Sequence, residues 1–210
     1  MKDGICFIFG AGERGGPPAT PRPGDFLIAA DGGYRYVLAQ RLRADLVVGD
    51  FDSLEEPPPI PDIIRLPREK DDTDMAAALR AGWERGYRTF HLYGGTGDRI
   101  DHTLANIQCL ADLARRGGRG FLYDRDSVLT AVHDGGASFP AGTRGTISAF
   151  AHTDIAAGVW EVGLKYPLSG ATLSNTYPLG VSNEFTGTAS RIFVESGTLI
   201  LVYPNTVREI

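Results

Sequence analysis

Gly49-Asp50-Phe51-Asp52-Ser53 directly follows the apolar run Leu46-Val47-Val48, so two carboxylates emerge where a buried strand is expected to end. In an extended segment residues i and i+2 point the same way, which brings Asp50 and Asp52 together and turns Phe51 back as an anchor. Like charges that close are costly without a cation between them, and hard oxygen ligands suit Mg²⁺. A turn rich in helix-capping residues would show the same letters. Lys70-Asp71-Asp72-Thr73-Asp74 forms a second acidic group. Asp71 and Asp74, three apart, would share one side of a first helical turn, with Lys70 nearby to meet phosphate oxygens as a point charge. The competing reading is a capped helix start with a solvated charge run.

Gly94-Gly95-Thr96-Gly97-Asp98-Arg99-Ile100-Asp101-His102 joins a predicted strand end to a predicted helix start. Glycines let backbone N–H groups approach an anion, and a helix N-terminus adds a favourable dipole. The run is neither a Walker A loop nor G-x-G-x-x-G. Arg99 suits phosphate oxygens, and Asp101 suits a metal or a proton. Asn106 lies four residues past His102 on the same helical face, so both would line a pocket, while capping explains His102 equally well. Ala30-Asp31-Gly32-Gly33 supplies a further acid at a strand end, fitted to a ribose or a metal-bound water and equally to an N-cap.

These residues need elements to hold them. Ile5 to Phe9, Phe26 to Ala30, Leu46 to Val48, Ile63-Ile64 and Phe90 to Tyr93 read as short buried strands. Between them, Gly33 to Arg43, Thr73 to Arg85 and His102 to Arg116 carry apolar positions at helical spacing. Strands alternating with helices predict a parallel, helix-flanked, Rossmann-like sheet, and in one such sheet the C-terminal strand ends share an edge. From about Gly120 the pattern becomes strands separated by turns: Phe121 to Tyr123, Ser127 to Val132, Thr146 to Phe150, Gly158 to Val162, Arg191 to Val194 and Thr198 to Val202. The expectation is an α/β domain over 1–120 and an all-β sandwich over 121–210.

Of the 210 residues, 42% are hydrophobic and 22% charged, which suits a globular chain and argues against wholesale disorder. A net charge of -5 argues against binding of nucleic acid or an anionic membrane by broad attraction. Met1-Lys2-Asp3-Gly4 does not open an export signal and no apolar run approaches a membrane span, so the expected location is cytoplasmic. Two cysteines, Cys6 and Cys109, make no disulfide framework and read as buried thiols. Fifteen of the 17 aspartates lie at or before Asp126, which concentrates acid chemistry in the first domain.

Taken in order, Asp31-Gly32-Gly33, Gly49 to Ser53, Lys70 to Asp74, Gly94 to Asn106, Gly163-Leu164-Lys165-Tyr166-Pro167-Leu168 and Gly180-Val181-Ser182-Asn183-Glu184-Phe185 resemble thiamine pyrophosphokinases nearly end to end. The resemblance implies a homodimer with active sites at the subunit interface, transferring pyrophosphate from ATP to thiamine with Mg²⁺. It implies that Asp50, Asp52 and Asp74 hold the metal, with Lys70, Arg99, Asp71 and Asp101 as catalytic groups and Asp71 or Asp101 as the base. Asp31, Gly32, Gly94, Thr96, Asp98, His102 and Asn106 match ATP-pocket positions, and Tyr166, Ser182 and Asn183 match thiamine positions. Gly10-Ala11-Gly12-Glu13-Arg14-Gly15-Gly16 has an Ala where relatives commonly carry a glycine run, which weakens any assignment of phosphate contacts to this loop. Alternatives are a pyrophosphokinase acting on another hydroxymethyl heterocycle such as a pterin, and a non-catalytic nucleotide or thiamine sensor.

Overall fold

Short runs of branched and aromatic residues form the strands of the first of two units into which the chain divides, Met1–Cys109 with Gly120–Arg125; the second is Leu110–Arg119 with Asp126–Ile210. The structure is a computed structural model and describes residues 2–13, 20–51, 62–67, 72–97 and 99–207. In the first unit β1 (Ile5–Phe9), β2 (Phe26–Ala30), β3 (Leu46–Gly49), β4 (Ile63–Arg65), β5 (Thr89–Tyr93) and β6 (Arg119–Tyr123) lie in the order β6-β5-β1-β2-β3-β4. The pairs β1–β2, β1–β5, β2–β3 and β3–β4 are all parallel, with Phe7 opposite both Leu27 and His91. Cys6 to Phe9 and Leu46 to Gly49 are buried throughout, as strands covered on both faces must be, and this is why they read as unbroken apolar runs.

The helices are α1 (Gly33–Ala39), α2 (Asp74–Glu84) and α3 (Ile100–Arg115). The first stops four residues before the predicted Arg43. Arg41 adopts φ +54, and the Leu42 N–H donates to the Val37 carbonyl at 3.0 Å. This is a Schellman-type closure that also turns Leu42 onto the Phe7, Phe9 and Val37 core. At the start of α2 the Thr73 hydroxyl accepts the Ala76 N–H at 3.1 Å, the predicted cap. Gly82 lets α2 settle on the sheet, since a Cβ there would lie 2.8 Å from both Cys6 Sγ and Phe90 Cε1. Burial pushes the Cys6 thiol far up, so it stays protonated and inert; Cys109 is half-buried.

The second unit contains β7 (Ser127–His133), β8 (Gly136–Phe139), β9 (Arg144–Ala151), β10 (Ile155–Val162), β11 (Leu168–Ser174), β12 (Asn183–Thr186), β13 (Ser190–Ser196) and β14 (Thr198–Pro204). Its strands run β12-β9-β14-β7 and β11-β10-β13-β8, with antiparallel pairing. The Phe139 ring of β8 meets Phe185 of β12 at 5.0 Å and Tyr203 of β14 at 5.3 Å, so the two sheets share an aromatic core. Strands β8, β11 and β12 lie outside the predicted set. They are four to seven residues long and rich in Gly, Ser, Thr and Asn, types that mark turns when read locally; each is an edge strand held by a single antiparallel neighbour. Among the described residues no helix is long and apolar enough to cross a membrane.

Candidate active site

A cavity of about 550 Å³ opens in the first unit, lined by Gly10 to Glu13, Ala30, Asp31, Asp74, Met75, Gly94, Gly95, Thr96, Arg99, His102 and Asn106. Its walls are the segments leaving the C-terminal ends of β1, β2 and β5 and the starts of α2 and α3, the edge where parallel sheets place ligands. The segment after β1 runs along the one after β5. The Gly10 N–H donates to the Tyr93 carbonyl at 2.7 Å, Gly12 to Gly94 at 2.9 Å and Glu13 to Thr96 at 2.8 Å. That approach demands glycine. A Cβ at Gly12 would fall 2.2 Å from the Thr96 carbonyl oxygen, and one at Gly94, whose φ is +67, would fall 2.3 Å from that of Gly10. The glycines read as freedom to approach an anion are used, at Gly94, to seat one backbone against another. The Gly10 to Glu13 segment, part of the loop whose departure from the family pattern weakened its assignment to phosphate, is a wall of the site.

Polar side chains fix this wall from behind. Asn106, buried, donates from Nδ2 to the Gly95 carbonyl at 2.7 Å, and the Thr96 hydroxyl donates to Asp124 Oδ1 at 2.7 Å. Asp124 stands 28 residues from Thr96, so no local motif joins the two. Asp31 holds φ +45 and its N–H donates to the Val48 carbonyl at 2.7 Å. The N-cap of α1 is Gly32, with no side-chain cap, so the capping role considered for Asp31 is not the one it takes; its residue lines the cavity.

Arg99 and Asp101 form a fork, Nε to Oδ1 at 3.0 Å and Nη2 to Oδ2 at 2.7 Å, on an exposed surface. The guanidinium holds the Asp101 carboxyl down from 3.8 to about 2. A depressed pKa means that the pairing is present above the ordinary carboxylate value and is lost only as pH falls toward 2. Asp101 is therefore ionised across the working range and is a weak proton acceptor, unlike a base poised near neutrality. In Asp101→Asn the acid limb of the kcat–pH profile keeps its midpoint; a limb that disappears would return the base to Asp101.

Asp50 is half-buried after β3 and is not among the lining residues. Phe51 is buried in the core with Val47, beneath the Arg65 guanidinium at 5.5 Å, so it anchors the loop as expected. Its φ of +63 breaks the extended conformation, and the alternation argument that paired Asp50 with Asp52 does not run through it. Asp52, Lys70, Asp71 and Asp98 lie outside the described residues.

In the second unit Tyr166 is 57% exposed, and Lys165 Nζ sits 5.4 Å from its ring centre. Ser182 is exposed at φ +60, its N–H donating to Ser148 Oγ at 3.0 Å. Asn183 differs from expectation: its side chain is buried and fully used. Nδ2 donates to Glu161 Oε2 at 2.6 Å and to the Tyr166 carbonyl at 2.7 Å, and Oδ1 accepts from the Tyr166 and Glu184 N–H groups at 2.9 Å each. An amide has two donors and two lone pairs, so none remains for a ligand.

Residues 22–121 match the family model described as thiamin pyrophosphokinase, catalytic domain. A Bacillus subtilis thiamine pyrophosphokinase is 27% identical over 161 residues, covering 73% of this chain and 75% of that protein. The chain thus resembles thiamine pyrophosphokinases in sequence, through the catalytic-domain match and this relative. These likenesses support an enzyme, a transferase of thiamine diphosphate formation, and the matched family implies ATP as co-substrate. A solved thiamin pyrophosphokinase from Geobacillus thermodenitrificans superposes with a TM-score of 0.80 at 28% identity, over 96% of this chain and 97% of that one. The Bacillus subtilis structure agrees in fold, with a TM-score of 0.81 at 24% identity over 94% and 97% of the two chains. Within the thiamine pyrophosphokinase match fall Asp31, Asp74, Arg99, His102 and Asn106; Gly10 to Glu13 precede it and Tyr166 to Asn183 follow it.

Proposed function

We propose that this enzyme moves the terminal pyrophosphoryl group of ATP to the hydroxyl of thiamine, giving thiamine diphosphate and AMP. The observation that carries the reading is the cavity at the strand ends, where two carboxylates, Asp31 and Asp74, line one space with Arg99, His102 and a glycine-built wall. The hydroxyl oxygen attacks the β-phosphorus, the bond from that phosphorus to the oxygen bridging to the α-phosphate breaks, and AMP leaves. Little covalent chemistry falls to the protein, so catalysis rests on positioning and charge neutralisation. Arg99, oriented by Asp101, neutralises phosphate oxygens, as Lys70 does on sequence grounds. Asp31 reads the ribose or a metal-bound water, and Thr96, His102 and Asn106 shape the nucleotide pocket. With Asp101 held by Arg99, Asp71 is the candidate proton acceptor.

Mg²⁺ fits the donor chemistry. It binds through one or two carboxylates with substrate phosphates completing its shell, and Asp74 and Asp31 line the cavity, while no group of three ligating side chains occurs among the described residues. Asp74, which lines the cavity, would hold it, with Asp50 and Asp52 as ligands on the resemblance alone; bound there, it would screen the polyphosphate and polarise the β-phosphoryl group. We read the first unit as a Rossmann-like nucleotide domain, and the second as a β-sandwich that supplies Tyr166 and Ser182 to thiamine in a cytoplasmic homodimer.

Incubation with ATP, Mg²⁺ and thiamine tests the reading: AMP and thiamine diphosphate form in equal amounts. ADP with thiamine monophosphate, or binding without AMP, overturns it.

A further inference from the structure

Glu161 occupies a core position on β10. It lies opposite Ile192 of β13, is only 1% exposed, and alternates with the exposed Trp160 and Val162. Burial pushes its carboxyl up, toward the neutral form. One oxygen, Oε2, accepts from Asn183; the other, Oε1, has no hydrogen-bond partner among the described residues. A buried carboxyl with an unsatisfied oxygen is less favourable than an apolar side chain of the same size, so packing does not account for a glutamate here. What it holds does. Asn183 grips both backbone groups of Tyr166 reciprocally, as a paired strand would. That grip works with only one orientation of the amide, since an interchange of Oδ1 and Nδ2 would face the Tyr166 N–H with a donor. An acceptor at Glu161 Oε2 selects the working orientation.

We propose that Glu161 is a positioning residue for thiamine: through Asn183 it fixes the turn that presents Tyr166. The inference rests on the reading that Tyr166 meets thiamine. It explains why the asparagine of the Ser182-Asn183 pair is buried while the serine is exposed.

The test compares Glu161→Met, Glu161→Gln and Asn183→Leu in the full-length enzyme. Removing one charge-matched or buried hydrogen bond corresponds to about a tenfold change in an equilibrium, so in Glu161→Met the thiamine KM rises about tenfold, the ATP KM stays unchanged, and hydrogen exchange at the Tyr166 N–H quickens by a similar factor. Asn183→Leu, which opens the clamp from its other end, shifts both readouts the same way. Glu161→Gln offers a carbonyl to Asn183 and restores both to wild-type values. Unmoved Tyr166 exchange in Glu161→Met and Asn183→Leu overturns the positioning role, as does a Glu161→Gln variant as impaired as Glu161→Met. Quickened exchange with an unmoved thiamine KM overturns instead the placement of thiamine at Tyr166.

Discussion

Asp74→Asn slows pyrophosphate transfer by roughly 10²–10³-fold while leaving the chain folded. Asp74 is the first residue of α2 and lines the cavity, whereas the helix is capped by Thr73, whose hydroxyl receives the Ala76 N–H. The substitution therefore keeps the cap and removes a negative charge from the first turn, which costs about 0.3–1 kcal/mol of helix-dipole stabilisation. The loss in catalysis is of another order. A group that organises charge on the transferring phosphates acts where water is excluded, and deleting one such group lowers kcat by roughly 10²–10³-fold. AMP release at saturating ATP and thiamine, followed beside thermal denaturation, separates the two effects. A rate near wild type would remove Asp74 from the reaction, and a lost melting transition would make it structural.

How far the letters carry depends on whether a signal is local. The strands of the first unit are legible because burial on both faces leaves unbroken apolar runs such as Cys6 to Phe9. The Thr73 cap is legible because acceptor and N–H lie three residues apart. Asp31, Asp74, Arg99, His102 and Asn106 are found from residue type and place at strand ends, and they do line one cavity. Partners distant in sequence are not legible. Asp124 reaches Thr96 across 28 residues, and Glu161 reaches Asn183 across 22. In both cases the sequence shows an ordinary acid, and only the fold shows which amide or hydroxyl it restrains. The Gly10 to Glu13 wall escapes for a related reason: its glycines are required by the carbonyls of Gly94 and Thr96, which a search for phosphate loops does not weigh. The end of α1 turns on Arg41 at φ +54, a conformation an arginine adopts at a cost of about 1–2 kcal/mol, so no residue type announces it.

Gly94→Ala is expected to damage stability and nucleotide binding together, and Gly117→Ala separates the two causes. Both glycines have positive φ, +67 and +77, so alanine at either meets the same left-handed strain of about 1–2 kcal/mol. Their surroundings differ. A Cβ at Gly117 meets nothing within 4 Å, whereas at Gly94 it would lie 2.3 Å from the Gly10 carbonyl oxygen and 3.3 Å from that of Gly12. Backbone cannot swing aside as a flexible side chain can, so the 10–13 segment must move outward. The Gly12 N–H then loses the Gly94 carbonyl it reaches at 2.9 Å. Overpacking of this kind adds about 1–3 kcal/mol, bringing the expected loss in Gly94→Ala to roughly 3 kcal/mol against about 1 in Gly117→Ala. The displaced segment is a wall of the cavity, so the ATP KM rises at least about tenfold in Gly94→Ala, a displacement worth about 1.4 kcal/mol of binding, and stays at its wild-type value in Gly117→Ala. Equal losses of stability in the two variants, with unchanged ATP binding in both, would mean that Gly94 serves only its own backbone conformation. The wall would then owe its position to Asn106 and Asp124, which grip Gly95 and Thr96 from the far side.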